Sequence, residues 1–124
     1  LMSHARTAAF DAATPACLSH YWVHDTLRTR LGYAGLILSD DIFMDALDEN
    51  GFPPERAAVQ AVSAGVDILM LSEKKCGKSA AILVQHAKED AAFAARIDES
   101  VFRILSFKLR HGLFVLPEEA NGKA

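Results

Sequence analysis

The chain contains two short apolar runs that end abruptly in polar residues. The first, Leu36-Ile37-Leu38, stops at Ser39-Asp40-Asp41, and the second covers residues 66–71. Runs this brief and this apolar are typical of strands buried on both faces, as in a parallel sheet. The pattern predicts strands over residues 35–40 and 66–71, and a possible third, short strand in the mixed segment of residues 1–7.

The segments between and after these runs carry apolar residues at helical spacing. The first predicted helix begins at the N-cap Ser19 and runs to about Leu31, with Val23, Leu27 and Leu31 on one apolar stripe. The later helices are predicted over Pro54–Ala64, over residues 78–89, and over a last segment marked by Ile97, Val101, Ile104, Leu105 and Leu109.

Predicted strands and helices alternate along the chain with tight turns between them. This alternation is the βα pattern of a parallel sheet. The polar residues after each strand then lie at the carboxyl edge of the sheet, which is where α/β proteins bind ligands. Three strands are few for such a sheet. A piece of a larger sheet or barrel would leave a strand edge exposed, which soluble proteins normally cover.

Composition is that of an ordinary globular domain and argues against several classes of protein. The 124 residues are 51% hydrophobic and 23% charged, with a formal net charge of −3. Interspersed charges give no electrostatic case for binding nucleic acid or an anionic membrane surface. No apolar run approaches the ~20 residues that a membrane helix needs, and the first residues lack the apolar centre of a signal peptide. Residues 117–124 are predicted to be a polar tail, and Cys17 and Cys76 to be ordinary core or surface residues.

Asp40 is the main candidate for chemistry because it directly follows the first apolar run. An ordinary aspartate is ionised at neutral pH, so it can act as a nucleophile, a metal ligand or a phosphoacceptor. Asp41 points to the other face of an extended strand and is expected to orient neighbouring groups. His4 is either a structural histidine or a member of the same site. Met44 is expected mainly to pack, and Asp67 to bond to local backbone.

Several short motifs distributed over most of the chain together resemble one known family. They are Met2-Ser3-His4-Ala5, Pro15-Ala16-Cys17-Leu18-Ser19, Leu31-Gly32-Tyr33-Ala34-Gly35, Ser39-Asp40-Asp41-Ile42-Phe43-Met44, Ala64-Gly65-Val66-Asp67-Ile68-Leu69, Arg96-Ile97-Asp98-Glu99-Ser100-Val101 and Arg103-Ile104-Leu105. The set resembles the C-terminal part of the catalytic barrel of glycoside hydrolase family 3. Related β-glucosidases typically carry Trp at the second aspartate, so Asp41 and Met44 favour the bacterial β-N-acetylhexosaminidase branch.

The resemblance implies an α/β fold in which residues 1–116 form the C-terminal portion, about three βα units, of a (β/α)8 TIM-type barrel. It implies a retaining mechanism, with no cofactor and no metal. The implied site residues are the nucleophile Asp40, the substrate-binding His4 and Met44, and the supporting Ser39 and Asp41. In this branch the acid/base group looks like an Asp–His pair on an earlier loop, near a Lys-His-Phe-Pro-Gly-His-Gly type motif. No such motif occurs in these 124 residues, so the chain alone is expected to be inactive.

A function of a different class stays open at this point. In it, a small α/β signalling or binding module uses Asp40 as a phosphoacceptor or Mg²⁺ ligand, although no acidic cluster follows another strand apart from Glu73. For the glycosidase we expect a carbohydrate partner, with terminal β-linked N-acetylglucosamine of cell-wall or chitin type as substrate. We also expect self-association or pairing with the missing barrel portion. A cytoplasmic location is slightly favoured over a periplasmic or secreted one.

Overall fold

The computed structural model describes residues 1–72 and 76–113. In this part of the chain, helices pack around a two-stranded parallel sheet, so the predicted α/β alternation is present. The predicted tail at residues 117–124 lies outside the described residues. In chain order the elements are a 3₁₀ turn (Ala16–Leu18), a π-helix (Tyr21–Arg30), β1 (Leu38–Asp41), α1 (Asp45–Asp48), α2 (Pro54–Ala64), β2 (Ile68–Met70), α3 (Cys76–Glu89) and α4 (Ala91–Arg110).

Residues 1–7 do not form the third strand that the sequence suggested. The Met2 N–H donates to the Leu38 carbonyl at 2.8 Å, which places the N-terminal segment beside β1. Thr7 then forms an isolated antiparallel bridge with Asp11. The segment therefore follows the sheet without extending it, because its polar residues interrupt the apolar pattern that a buried strand needs.

Strand β1 begins later than predicted, extends through Asp41 and has an irregular register. Leu38 pairs with Ile68 and Asp41 with Met70, so three steps along β1 correspond to two along β2. Inside this bulge the buried Ser39 hydroxyl accepts the Met70 N–H at 2.9 Å. Bulges increase local twist, and they are over-represented beside active sites because they re-aim side chains.

The first helix is present, but its form and its ends differ from the prediction. It is a π-helix, in which the Leu31 N–H reaches the Thr26 carbonyl, five residues back, at 3.0 Å. Ser19 does not cap it, because the Ser19 hydroxyl donates to the carboxylate of Asp11 instead. Val23 is fully buried as expected, whereas Leu31 is 71% exposed because it lies beyond the last turn.

Helix α2 matches its prediction at both ends. Pro54 stands in its first turn, where a missing N–H costs nothing, and an alanine-rich face packs into the core. Gly65 ends the helix in the left-handed conformation, with φ of +116°. A Cβ at that position would come within 3.2 Å of Val23 Cγ1, so glycine also permits the close approach of the π-helix.

Asp67, at the entrance to β2, joins four segments of the chain. Its side chain is fully buried, and one carboxylate oxygen accepts the Ile37 N–H just before β1 at 3.0 Å. Its side-chain donors are Arg28 of the π-helix and, from α4, Arg96 at 3.1 Å, Ser100 at 3.0 Å and Arg103 at 3.3 Å.

The partners of Asp67 correct the expectation of local backbone bonds, since they lie between 29 and 39 residues away in sequence. Burial opposes ionisation of this carboxyl group. The hydrogen bonds from the Ile37 N–H and Arg96, together with the charge of Arg28, nevertheless hold the pKa of Asp67 below its usual value. The buried carboxylate is therefore ionised and bound by cations from both sides.

The core is formed by the 3₁₀ turn, the π-helix, α1, α2 and residues beside the two strands. The largest fully buried side chains are Leu18, Val23, Ile37, Ile42, Leu47 and Val66. A groove of about 650 Å³ runs between β2, α3 and α4, and its apolar lining includes Leu69, Leu83 and Ile104. Among the described residues, none of the helices combines the length and the apolar composition needed to cross a bilayer.

Replacing Asp67 with Asn is expected to lower the free energy of unfolding by about 3 kcal/mol or more. The reason is that three arginines lose the buried negative charge with which they pair. Urea unfolding at pH 7 measures the loss. The stabilisation that the ionised Asp67 gives the wild type is complete above the unfolded-state pKa of about 3.9. It disappears as the pH falls through the lower folded-state pKa.

The matched control is Asp98→Asn, which removes an exposed carboxylate from the same helix that carries Arg96 and Arg103. We expect its unfolding free energy to stay within about 0.5 kcal/mol of the wild type. Equal stabilities of the Asp67 and Asp98 variants at pH 7 would contradict the structural role given to Asp67.

Candidate active site

Asp40 lies at the carboxyl end of β1, and its two carboxylate oxygens have different surroundings. Oδ1 accepts the N–H of Asp41 at 2.9 Å, which orients the side chain from its own strand. Oδ2 lies 3.7 Å from Nδ1 of His4. The side chain is 31% exposed, so a ligand can reach it from the open end of the sheet.

His4 reaches this site from the N-terminal segment, which the 3₁₀ turn holds in place. The Cys17 N–H donates to the Ser3 carbonyl at 3.0 Å, and the Ala16 N–H donates to the Ala5 carbonyl at 2.8 Å. The His4 side chain is 14% exposed, and its Nε2 is buried without a hydrogen-bond partner among the described residues. Because buried polar atoms usually have partners, Nε2 is available to a group that these residues do not supply.

Asp41 binds the backbone of two segments that follow the strands. Its Oδ1 accepts the Phe43 N–H at 3.0 Å and the Ser72 N–H at 3.1 Å. Burial acts to raise the pKa of Asp41, but the hydrogen bonds from Ser72 and Phe43 outweigh it and lower the pKa below its ordinary value. Asp41 therefore joins the segments that follow β1 and β2.

Ser39 and Met44, the other predicted members of the site, lie in different settings. Ser39 is fully buried and bonds to Met70, so its hydroxyl sets the register of the sheet. Met44 is 44% exposed in the turn after β1, where its N–H faces the Asp41 carbonyl at 3.4 Å. The expectation that Met44 packs is wrong, because α1 starts directly after it and leaves the side chain at the surface.

Cys17 is a neighbour of Asp40 that the sequence pattern did not indicate. It is fully buried in the 3₁₀ turn. Burial raises the pKa of its thiol to about 11, against a hydrogen bond with the Asp40 backbone that acts to lower it. The neutral thiol thus lies next to the backbone of Asp40, at the end of β1. No spacing in the sequence signals this contact, since 23 positions separate the two residues.

A divalent cation or phosphoacceptor site would need further carboxylates around Asp40. Within residues 1–72 and 76–113, the one convergent group of three potential ligands is His20, His24 and Asp25, on the π-helix. Glu73, the acidic residue that the sequence offered for this purpose, lies outside the described residues. The described residues therefore give the signalling or metal-binding interpretation no ligand set at Asp40.

A family model and two relatives, all glycosyl hydrolases or hexosaminidases by their descriptions, match this chain. A family model described as the glycosyl hydrolase family 3 N terminal domain matches residues 1–107. An uncharacterized secreted glycosyl hydrolase of Arthroderma benhamiae is 38% identical over 105 residues, which are 82% of this chain and 30% of the relative. A beta-hexosaminidase of Vibrio cholerae is 40% identical over 63 residues, 51% of this chain and 19% of the relative.

A solved structure is similar over a comparable stretch. The beta-N-acetylhexosaminidase of Beutenbergia cavernae matches with a TM-score of 0.76 and 31% sequence identity, over 86% of this chain and 32% of that protein. The chain thus spans less than a third of the length of each of these three proteins. Its fold is an α/β fold similar to that of the family's N-terminal TIM-barrel domains.

Ser39→Ala tests the hydrogen bond inside the β1 bulge. We expect faster hydrogen exchange at the Met70 amide and a loss of about 1–2 kcal/mol in unfolding free energy, because the variant leaves that N–H without its acceptor. Exchange followed by NMR measures the first effect and urea unfolding the second. Ser63→Ala, at an exposed position of α2, is the control. Unchanged exchange at Met70 would show that the hydroxyl does not hold the register.

Proposed function

The chain belongs to glycosyl hydrolase family 3 and is β-hexosaminidase-like, and on this basis we propose that it carries the nucleophile of a retaining β-N-acetylhexosaminidase. The observation that supports the proposal is the position of Asp40 at the carboxyl end of β1. One carboxylate oxygen is held by the Asp41 N–H, and the other faces His4. Enzymes with TIM barrels place their catalytic residues at this end of the strands.

In the proposed reaction, Asp40 Oδ2 attacks the anomeric carbon of the sugar. The glycosidic C–O bond breaks, and its oxygen leaves with a proton supplied by a general acid, so that a glycosyl ester of Asp40 remains. Water, deprotonated by the same group, then attacks the anomeric carbon and releases the Asp40 carboxylate. His4, with its unpartnered Nε2, would bind a sugar hydroxyl, and the exposed Met44 would contact the apolar face of the substrate.

The proposed substrate is a terminal β-linked N-acetylglucosamine in cell-wall or chitin fragments. The relatives named as beta-hexosaminidase and beta-N-acetylhexosaminidase support the proposed identity of the sugar. The proposal for the group to which the sugar is linked comes from the family resemblance. The Arthroderma benhamiae relative is described as secreted. It supports an extracytoplasmic place of action as the alternative to the cytoplasmic one that the sequence slightly favoured.

We further propose that the chain supplies part of an eight-unit barrel, with a βα unit at each of its two strands and the N-terminal segment and π-helix in place of a third, and acts together with the rest of it. The acid/base pair that the family resemblance places on an earlier loop has no counterpart motif in these residues. General acid–base catalysis is typically worth ~10²–10⁴ in rate. The chain by itself is therefore expected to lack useful turnover, although it holds the nucleophile.

Asp40→Asn in the full-length parent enzyme is expected to lower kcat/KM by roughly 10³-fold or more without unfolding the protein, because the amide cannot form the glycosyl ester. A mechanism-based fluorosugar should label Asp40, as mass spectrometry of the digested protein would show. Asp48→Asn, at an exposed position of α1, is the matched control and should keep both activity and labelling.

Labelling at Asp41, or full activity of the Asp40 variant, would reject the assignment of the nucleophile. The isolated chain gives a second readout on an unactivated N-acetylglucosaminide. Turnover there at the rate of an ordinary glycosidase would contradict the proposal that the acid/base lies elsewhere.

The exposed apolar groove beside β2 supports the proposal of pairing. The groove between β2, α3 and α4 is apolar, and Val101 and Leu105 of α4 are 46% and 48% exposed although they belong to the predicted apolar face. Covering apolar surface is worth ~25 cal/mol per Å². In the parent protein the missing barrel portion would cover this groove, and in the isolated chain a second copy would do so.

The isolated chain is therefore expected to self-associate at micromolar concentration, as sedimentation velocity would show. Val101→Lys places a charge in the groove and should shift the chain towards monomer. Phe102→Lys, one residue further along α4 and 73% exposed outside that groove, is the matched control and should leave association unchanged. A compact monomer for the wild type would contradict the proposal.

A further inference from the structure

A second cluster of chemically versatile side chains lies at the start of the π-helix, on a different element from Asp40. His20, His24 and Asp25 each bring one potential ligand atom within 4.8 Å of the others. Asp25 Oδ1 lies 2.9 Å from Nδ1 of His24 and 3.3 Å from Nδ1 of His20. The two imidazole rings stack with their centroids 4.5 Å apart and 28° between their planes.

We propose that His20, His24 and Asp25 bind one divalent transition-metal ion. Imidazole nitrogen and carboxylate oxygen are ligands that suit Zn²⁺, Cu²⁺, Ni²⁺ and Co²⁺, whereas Mg²⁺ and Ca²⁺ prefer oxygen alone. In a tetrahedral zinc site with ligands at ~2.0–2.1 Å, neighbouring ligand atoms lie about 3.3 Å apart. The two spacings at Asp25 Oδ1 are close to this value, and the ligand atoms of the two histidines lie within 4.8 Å of each other.

The local sequence explains why these atoms converge. Side chains four positions apart on a helix are neighbours on its surface, and Asp25 follows directly after the second histidine. An ordinary aspartate is ionised at neutral pH, so the carboxylate is available as an anionic ligand. The side chains are about half exposed, which leaves room for water in the remaining coordination positions.

A cation nearby would oppose the binding of a metal, and Arg28 is on the following turn of the helix. Its guanidinium, however, donates to the buried carboxylate of Asp67 and to the carbonyl of Tyr33. Its guanidinium is therefore held by the buried Asp67, whose negative charge it shares with Arg96 and Arg103. In the absence of metal, the two histidines share the Asp25 carboxylate, which keeps the ligand atoms together.

The test uses the whole 124-residue chain and the metal ions alone. Trp22, the single tryptophan, stands between His20 and His24 in the sequence. Its fluorescence should therefore be quenched by bound Cu²⁺. Calorimetry with Zn²⁺ gives the stoichiometry, which we expect to be one ion per chain. His20→Ala, His24→Ala and Asp25→Asn should each weaken binding about tenfold or more, and His111→Ala, an exposed histidine after α4, should not.

Two results would overturn the proposal. Affinities that are equal in the wild type and all the site variants would show that the ions bind elsewhere. Loss of binding in the histidine variants with wild-type affinity in Asp25→Asn would show that the carboxylate is not a ligand. Circular dichroism of each variant verifies that the fold is retained, as expected for substitutions at exposed positions.

Discussion

The described fold depends on one buried carboxylate, that of Asp67. An isolated buried charge costs several kcal/mol, so it persists in a protein when cations and hydrogen-bond donors surround it. Here the donors come from the π-helix, from the backbone before β1 and from α4. Because these segments are distant in sequence, their meeting at one point defines how the helices are arranged around the two strands.

This arrangement separates the stabilising end of the sheet from the end at which we propose the chemistry. Asp67 and Ile37 stand where the two strands begin, and Asp40, Asp41 and Ser72 stand where they finish. Between the two ends, the bulge at Ser39 changes the register. The polar groups at the carboxyl end can therefore be arranged for a substrate while the opposite end holds the strands together, a division of roles that is general in α/β barrels.

The apolar groove beside β2 follows from the same architecture. A parallel strand is normally covered on both edges and both faces, and two strands cannot satisfy that requirement by themselves. Helix α2 packs on β2, and α3 and α4 pack on α2, which leaves an apolar groove beside β2 where we propose that further chain packs. The same incompleteness would divide the catalytic groups, with the proposed nucleophile on this chain and the proton donor on the remainder of the barrel.

The sequence by itself determined the features that local interactions control. The bounds of α2 follow from Pro54 and from the left-handed Gly65, and the place of Asp40 at a strand end follows from the apolar run before it. The family and the α/β alternation were also predictable, because motifs and periodicity are properties of neighbouring residues. Only the tertiary structure decided that Asp67 binds three arginines, that Cys17 lies behind Asp40, that Met44 is exposed and that residues 1–7 add no strand. These features depend on contacts between residues far apart in sequence, whose free energy exists only once the chain has brought them together.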